Sequence, residues 1–334
     1  MKAYGFTDFR DYSHDTSLFH TLENKDLPVK FDAITERTGI VTRQIARSTA
    51  DIQKMTRKAI ERFFEDEGIT GDDCNGLVLS SCNPSDPESF QTLADSIAHE
   101  YDIHQAKSLN FACSGFPASV EAAMSMSNRR EKHILIITAE ITSALVNWDD
   151  ENTAVVFGDG LAATSIIPGG RHSILHSSAV GDLDDPKDCL RLLPQEGTRT
   201  IYNEHIEDAR PVITMGEHGG KHLYRTVPKQ FIEMVRSSEW GLSGVNRIVS
   251  HQANGKFTEK MLKELAEEER AEIEVVGTIE DQGNIVSASI PTALSKSIGS
   301  FSVGDIVACP AKGAGENFTS GTLSEGLLVF EVGE

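Results

Sequence analysis

The stretches LNFACSGFPASVEAA (109–123) and QGNIVSASIPTALSK (282–296) carry the same order of events. Each runs from a polar turn through small residues to a proline and on into a helix-like segment. Proline is tolerated in the first turn of a helix, where the amide it lacks would have no partner. Working outward, three further pairs keep this order. NGLVLSSCNP (75–84) parallels NRIVSHQANG (246–255), each a short apolar strand followed by small polar residues. KHILIITAE (132–140) parallels GDIVACPAK (304–312), and FGDGLAATSII (157–167) parallels SGTLSEGLLVF (320–330). Offsets that stay between about 160 and 175 residues point to an internal duplication. The chain has 334 residues, the length of about two domains or one large duplicated one.

Apolar runs at 77–79, 134–137, 154–157, 247–249, 306–308 and 327–332 read as buried strands. Amphipathic segments at 49–67, 117–128, 221–237 and 256–269 lie between them, which predicts an α/β fold. Residues 182–222 interrupt the pattern with Pro186, Pro194 and Pro211 and with His205, His218 and His222. They read as a solvated loop; the sharper alternative is a wall of a substrate pocket. The three histidines lack a metal-ligand pattern with a carboxylate, so no metal is expected.

Lys and Arg number 31 against 51 Asp and Glu, a net charge of −20. That balance argues against general affinity for nucleic acid or for anionic membranes. Five cysteines (Cys74, Cys82, Cys113, Cys189 and Cys309) are widely spaced, with no C-x-x-C. Neither a disulfide framework nor a structural zinc site is expected. The opening MKAYGFTDFRDYSHD is not a signal peptide, and no window approaches 18 apolar residues. The expected address is the cytoplasm, where thiols stay reduced.

Cys113 stands at the start of a predicted helix. The positive end of the helix dipole would lower its pKa and favour a thiolate nucleophile. The other four cysteines read as small buried hydrophobes. His251 closes a predicted strand, and Asn284 lies in a glycine-containing turn before a helix. Singly these are weak signals. The duplication puts Asn284 within a couple of residues of the position equivalent to Cys113, with His251 at a matching strand end. Duplicated α/β halves bring such ends to one face. A Cys, a His and an Asn together suit acyl transfer followed by stabilisation of a charged intermediate.

At these residues the sequence resembles the β-ketoacyl-acyl-carrier-protein synthase III family. The matching pieces are Arg37-Thr-Gly-Ile40 with Arg43 and Ala46, Ala112-Cys-Ser-Gly-Phe116, Phe157-Gly-Asp-Gly160, His251-Gln-Ala-Asn254, Gly283-Asn284 with Ala288-Ser-Ile-Pro291, and the glycine-containing end from Gly313 to Gly321. They run in order from about residue 35 to the end. The resemblance implies an α/β duplicated thiolase fold, layered α-β-α-β-α with two mixed sheets and usually a homodimer. Residues 1–170 would form the half with the nucleophilic Cys, and 171–334 the half with His and Asn. It implies no cofactor. Its implied chemistry is decarboxylative Claisen condensation: Cys113 takes an acyl group from a thioester primer, delivered by CoA or a carrier, and a malonyl-acyl-carrier protein supplies the attacking carbon. His251 and Asn284 would bond the enolate oxygen. The backbone N–H groups of Cys113 and of the Gly315-Glu316 loop, assigned to Glu316, would form the oxyanion hole.

Some positions depart from the family. Ala33 stands where a Trp often stacks on adenine, and Glu151 where an Arg often does. Both changes disfavour CoA, the first by removing a stacking face and the second by adding negative charge. The glycine-rich strand usual at the N-terminus is not recognisable in residues 1–30, and Glu316 and Asn317 replace common glycines. Lys256, Lys260 and Lys263 share one face of a predicted helix, where the family docks its acidic carrier. Glu259, Glu264, Glu267 and Glu268 offer the plainer reading of a salt-bridged face. Two further functions stay open: acyl transfer to a hydroxyl or amine, and a non-catalytic partner subunit.

Overall fold

The computed structural model describes residues 3–83, 86–126, 132–185, 189–216, 219–318 and 321–334. Pro186 and His218 lie outside the described residues. Ten strands make the main sheet: β1 (Tyr4–Asp11), β2 (Cys74–Ser80), β3 (Ala106–Leu109), β4 (His133–Glu140), β5 (Gly160–Pro168), β6 (His172–Asp184), β7 (Arg247–Ile248), β8 (Glu274–Val275), β9 (Ile306–Ala314) and β10 (Thr322–Glu331). Their spatial order is β8-β7-β9-β10-β6-β1-β5-β4-β2-β3. Outward from the middle, the first five run β1-β5-β4-β2-β3 and the last five run β6-β10-β9-β7-β8. The order repeats strand for strand, and so does the sense. β2 is parallel to β3 and β4 as β7 is to β8 and β9. The remaining pairs within each set are antiparallel.

The two mixed sheets expected from the sequence meet at a short seam. Only Gly5↔Ser173 and Phe6↔His172 pair β1 with β6. Gly5 and Gly170 touch back to back there, and a β-carbon on either would collide with the other's carbonyl oxygen.

Six helices of nine residues or more occur among the described residues: α1 (Ile52–Glu67), α2 (Pro87–Glu100), α3 (Gly115–Ser125), α4 (Gly219–Arg236), α5 (Gly255–Glu267) and α6 (Ser289–Ser297). Strand alternation decides which face each covers. In β2, Val78 enters the core shared by α3, α6 and both strand sets, whereas Leu77 and Leu79 face α1 and α2. In β9, Val307 and Cys309 face that shared core, and Ala308 faces α4 and α5. Two outer helix layers, two sheets and a central helix layer result. α1 starts where the Asp51 carboxylate accepts the Lys54 amide at 2.7 Å, and ends at left-handed Gly68.

Three expectations change. The apolar run 154–157 is not a strand: a short helix, Glu151–Ala154, ends there, and the strand begins at Gly160. Buried Arg43 holds this bend by donating to the carbonyls of Ala154 (2.9 Å), Phe157 (3.0 Å) and Val155 (3.3 Å). β1 and β6 did not stand out in the sequence, because both mix polar residues with apolar ones, β1 around a register shift between Phe6 and Phe9. Residues 182–222 are not simply a loop. Leu190–Gln195 pairs with Arg210–Met215 as an antiparallel ribbon, and Thr198–Arg199 with His205–Ile206 as a second.

Candidate active site

Each half builds the same elbow. Asn110 Oδ1 accepts the amide of Ala112 at 3.4 Å, and Asn284 Oδ1 accepts that of Val286 at 3.0 Å. Ala112 (φ 43°) and Val286 (φ 50°) then take the left-handed conformation. Without glycine this costs about 1–3 kcal/mol per residue and persists only when the surroundings impose it. A single 3₁₀ turn follows, Ala112–Ser114 or Val286–Ala288, and leads into α3 or α6 with Pro117 and Pro291 in matching positions. Cys113 and Ser287 are therefore equivalent residues.

A cavity of ≈ 290 Å³ opens at these strand ends, and Cys113, His251 and Asn284 all line it. Gly313 backs onto the cysteine; a β-carbon there would stand 2.6 Å from the Cβ of Cys113 and 3.0 Å from its Sγ. The Asn284 turn is fastened to the opposite half. Its amide donates to Val156 O at 2.9 Å, and its carbonyl accepts the Gly158 amide at 3.0 Å. The Phe157-Gly-Asp-Gly160 segment is thus a brace. Its Asp159 carboxylate accepts the amides of Ala46 and Ser143, both at 2.7 Å, and the Ser143 hydroxyl at 2.6 Å.

His251 is buried, and its amide donates to Pro310 O at 3.0 Å. Its Nδ1 lies 2.7 Å from Ser289 Oγ, whereas Nε2 has no partner among the described residues. Ser289 also stands 2.9 Å from the Val286 carbonyl. One hydroxyl proton serves two acceptors. Donated to Nδ1 it leaves the proton on Nε2, a hydrogen-bond donor; donated to Val286 it leaves Nε2 a base. Burial drives the imidazole pKa down to about 3, so the ring is neutral at neutral pH.

The expected depression of the Cys113 pKa is overturned. Burial, and then the nearby Glu140, push the thiol up to about 12, which outweighs the start of a helix. Glu140 is itself fully buried and accepts the amides of Cys82 (2.9 Å) and Ser287 (3.3 Å) and the Ser287 hydroxyl. Burial lifts its carboxyl to about 7. Glu140 and Ser289 were invisible in the sequence, since their partners lie far away in the chain.

The comparisons with known proteins agree with this geometry. The profile of 3-oxoacyl-[acyl-carrier-protein (ACP)] synthase III matches residues 108–182, and that of its C-terminal region matches 235–324. A β-ketoacyl-[acyl-carrier-protein] synthase III of Rickettsia canadensis is 28% identical over 290 residues, 84% of this chain and 87% of that protein. One from Bacillus pumilus is 26% identical, over 84% and 86%. The chain belongs to the 3-oxoacyl-[acyl-carrier-protein] synthase III family. It also has the family's thiolase fold. The solved 3-oxoacyl-[acyl-carrier-protein] synthase III of Aquifex aeolicus superposes with a TM-score of 0.74, 23% identity and coverage of 98% and 99%. The priming β-ketosynthase of the R1128 polyketide pathway gives 0.73 and 22%, covering 99% and 96%.

Family motifs outside the cavity have mixed fates. Glu316 packs beside Gly181, and in the 313–316 turn it is Gly313 that lies against Cys113. Glu151 is ion-paired with Arg37, which lines the cavity, so its charge is neutralised locally. Ala33 precedes a short helix in a left-handed conformation (φ 53°). The three lysines do share α5. Lys256 pairs with Glu259 at 2.7 Å and Lys263 with Glu267 at 3.8 Å. Lys260 donates to Arg225 O at 2.8 Å. His205 pairs with Glu207, and no metal-holding cluster occurs among the described residues. No helix among them is long and apolar enough to cross a membrane. Leu190 and Met215, at the ribbon's ends, line the cavity, so the segment read as a loop contributes a wall.

Proposed function

We propose that the protein is a ketosynthase III that forms a carbon–carbon bond by decarboxylative Claisen condensation. The observation that supports it most is the shared cavity of Cys113, His251 and Asn284. Cys113 Sγ attacks the thioester carbonyl of the primer; the carrier thiol departs with the proton from Cys113, and an acyl-enzyme remains. Malonyl-acyl-carrier protein then loses CO₂. The electron pair left behind becomes an enolate whose oxygen is bonded by His251 Nε2–H and the Asn284 amide. Losing one such aimed donor costs ~3–4 kcal/mol. The enolate carbon attacks the acyl-Cys113 carbonyl, and Cys113 leaves as the new bond forms. The amide of Cys113 and one from the 313–316 turn bond the oxyanion in both attacks.

Residues 1–170 and 171–334 act as the two duplicated halves, in a homodimer. The acidic carrier docks over α5 through Lys256, Lys260 and Lys263. Exposed ion pairs such as Lys256–Glu259 are worth about 0–1 kcal/mol and exchange readily for a partner's carboxylates. With Arg37 engaged by Glu151 and no aromatic face at Ala33, a carrier protein is the favoured source of the primer.

The test is intact-protein mass spectrometry with acyl-CoAs and acyl-carrier proteins, followed by CO₂ release from malonyl-acyl-carrier protein. Acylation at Cys113 with CO₂ release and a β-ketoacyl product is expected. Acylation without CO₂ release would indicate transfer to a hydroxyl or amine, and no acylation would indicate a non-catalytic subunit.

A further inference from the structure

The chain carries a net charge of −20, yet among the described residues every charged side chain lining its cavity is cationic: Arg37, Lys221 and Lys312. Arg37 is ion-paired with Glu151, and both side chains are about half exposed, so water serves the rest of the guanidinium. Lys312 is the unusual one. It sits on β9 immediately before Gly313, the residue against Cys113, but alternation sends it to the opposite face. That face continues from Ala308, which packs with Val227 and Phe231 of α4. Across the ladder the rungs are Ala308↔Val329, Pro310↔Leu327, Lys312↔Glu325 and Ala314↔Leu323. One charged rung therefore interrupts an apolar series. Its ammonium lies 3.0 Å from Glu325 Oε2, and the lysine side chain is 10% exposed against 37% for the glutamate.

An ammonium has three donors. Glu325 is the single side-chain partner of Lys312 among the described residues. A nearly buried cation is costly unless its remaining protons find acceptors. The cavity it lines is walled by Leu190, Met215, Leu223, Val227 and Leu323, with Thr38, Asn152, Tyr224, His251, Asn254 and Asn284 as its uncharged polar side chains; none of these six is hydrogen-bonded to Lys312. A molecule that fills the cavity can supply a second acceptor.

We infer that Lys312 is a specificity-determining residue that receives a carboxylate at the far end of the acyl group loaded on Cys113, with Glu325 holding the ammonium in place. This rests on the acyl-enzyme reading above and adds a substrate class to it: acyl thioesters with a second, terminal acid. The apolar walls bind the methylene stem, and the lysine reads the end.

The test compares two thioesters of equal shape, succinyl and 4-methylpentanoyl, with acetyl as control. Each is offered on CoA and on acyl carrier protein, and the acylation rate of Cys113 is read by intact mass. In the wild type the succinyl-to-methylpentanoyl rate ratio should exceed that of Lys312→Met by about tenfold or more, the range of a hydrogen bond to a charged group. Lys312→Arg should restore most of the ratio. The double variant Lys312→Met with Glu325→Gln, which leaves no unpaired carboxylate, should behave like Lys312→Met. A ratio equal in wild type, Lys312→Met and the double variant, or a wild type that takes acetyl but not succinyl, overturns the inference and leaves the acyl-enzyme standing. Failure of Cys113 to take any acyl group overturns the acyl-enzyme reading instead.

Discussion

Residues 110–117 and 284–291 are two copies of one elbow put to different uses. Both have an Asn turn, a strained non-glycine residue, a 3₁₀ turn and a proline-bearing helix. In the first copy Cys113, the residue after strained Ala112, lines the cavity, and Asn110 does not. In the second the Asn lines it, and the cysteine's counterpart, Ser287, turns to Glu140. The backbone trick was duplicated, and the chemistry was then divided. A strained turn presents either its first polar residue or its fourth, and the neighbouring buried groups decide which.

Four experiments bear on this division, taken from the largest effect to the smallest. Cys113→Ala should abolish acyl-enzyme formation, a loss of more than about a thousandfold, while Ser287→Ala keeps it. Mass spectrometry of both variants checks this; equal loss in both would erase the distinction. Asn284→Ala should spare acylation and lower the condensation rate by about a hundredfold or more. Asn110→Ala should leave condensation per folded molecule largely intact and lower the melting temperature. If Asn110→Ala matched Asn284→Ala in CO₂ release, the two asparagines would not differ in role.

Ser289→Ala removes the hydroxyl that, by donating to Nδ1, keeps the His251 proton on Nε2. We expect condensation to fall by roughly tenfold, with acylation affected less and with a changed pH profile. A uniform fall in both steps would mean that Ser289 is merely structural. The last effect is on stability and not on rate. The Glu140 carboxyl is raised to about 7 by burial, so between its ordinary range and pH 7 the folded state binds more protons than the unfolded one. Stability should therefore fall as pH rises from about 5 to 8, by on the order of 3 kcal/mol from this group. Urea unfolding of Glu140→Gln across that range should show a flatter curve; an identical slope would exclude Glu140 as its source.

Much of the fold was legible because duplication left four ordered pairs of segments, and because strands covered on both faces read as apolar runs. β1 and β6 were not, although they stand at the centre of the sheet. They meet at the seam between halves, and their mix of polar and apolar residues is that of edge strands. At the site, Cys113, His251 and Asn284 were readable as residue types at the ends of periodic segments. Lys312 was not, because its meaning depends on Glu325, thirteen positions away and opposite only once the β9–β10 register is set. The Cys113 pKa was misjudged for a related reason. Helix position is visible in a sequence, whereas burial beside Glu140 is not.

The seam at Gly5 and Gly170 has a mechanical meaning for catalysis. From it, one unbroken run of hydrogen-bonded strands passes through β6, β10, β9 and β7 to His251. Asn284 is pinned to the other half through Val156 and Gly158. His251 and Asn284 are tied to each other through Ser289 and Val286, and the Asn284 turn is tied to the other half as well, so a displacement at the seam strains that second tie. A methyl group at either glycine would act as a shim. Since misplacement by 1 Å can cost about a hundredfold in rate, a residue pair that never meets the substrate bears on the enolate site.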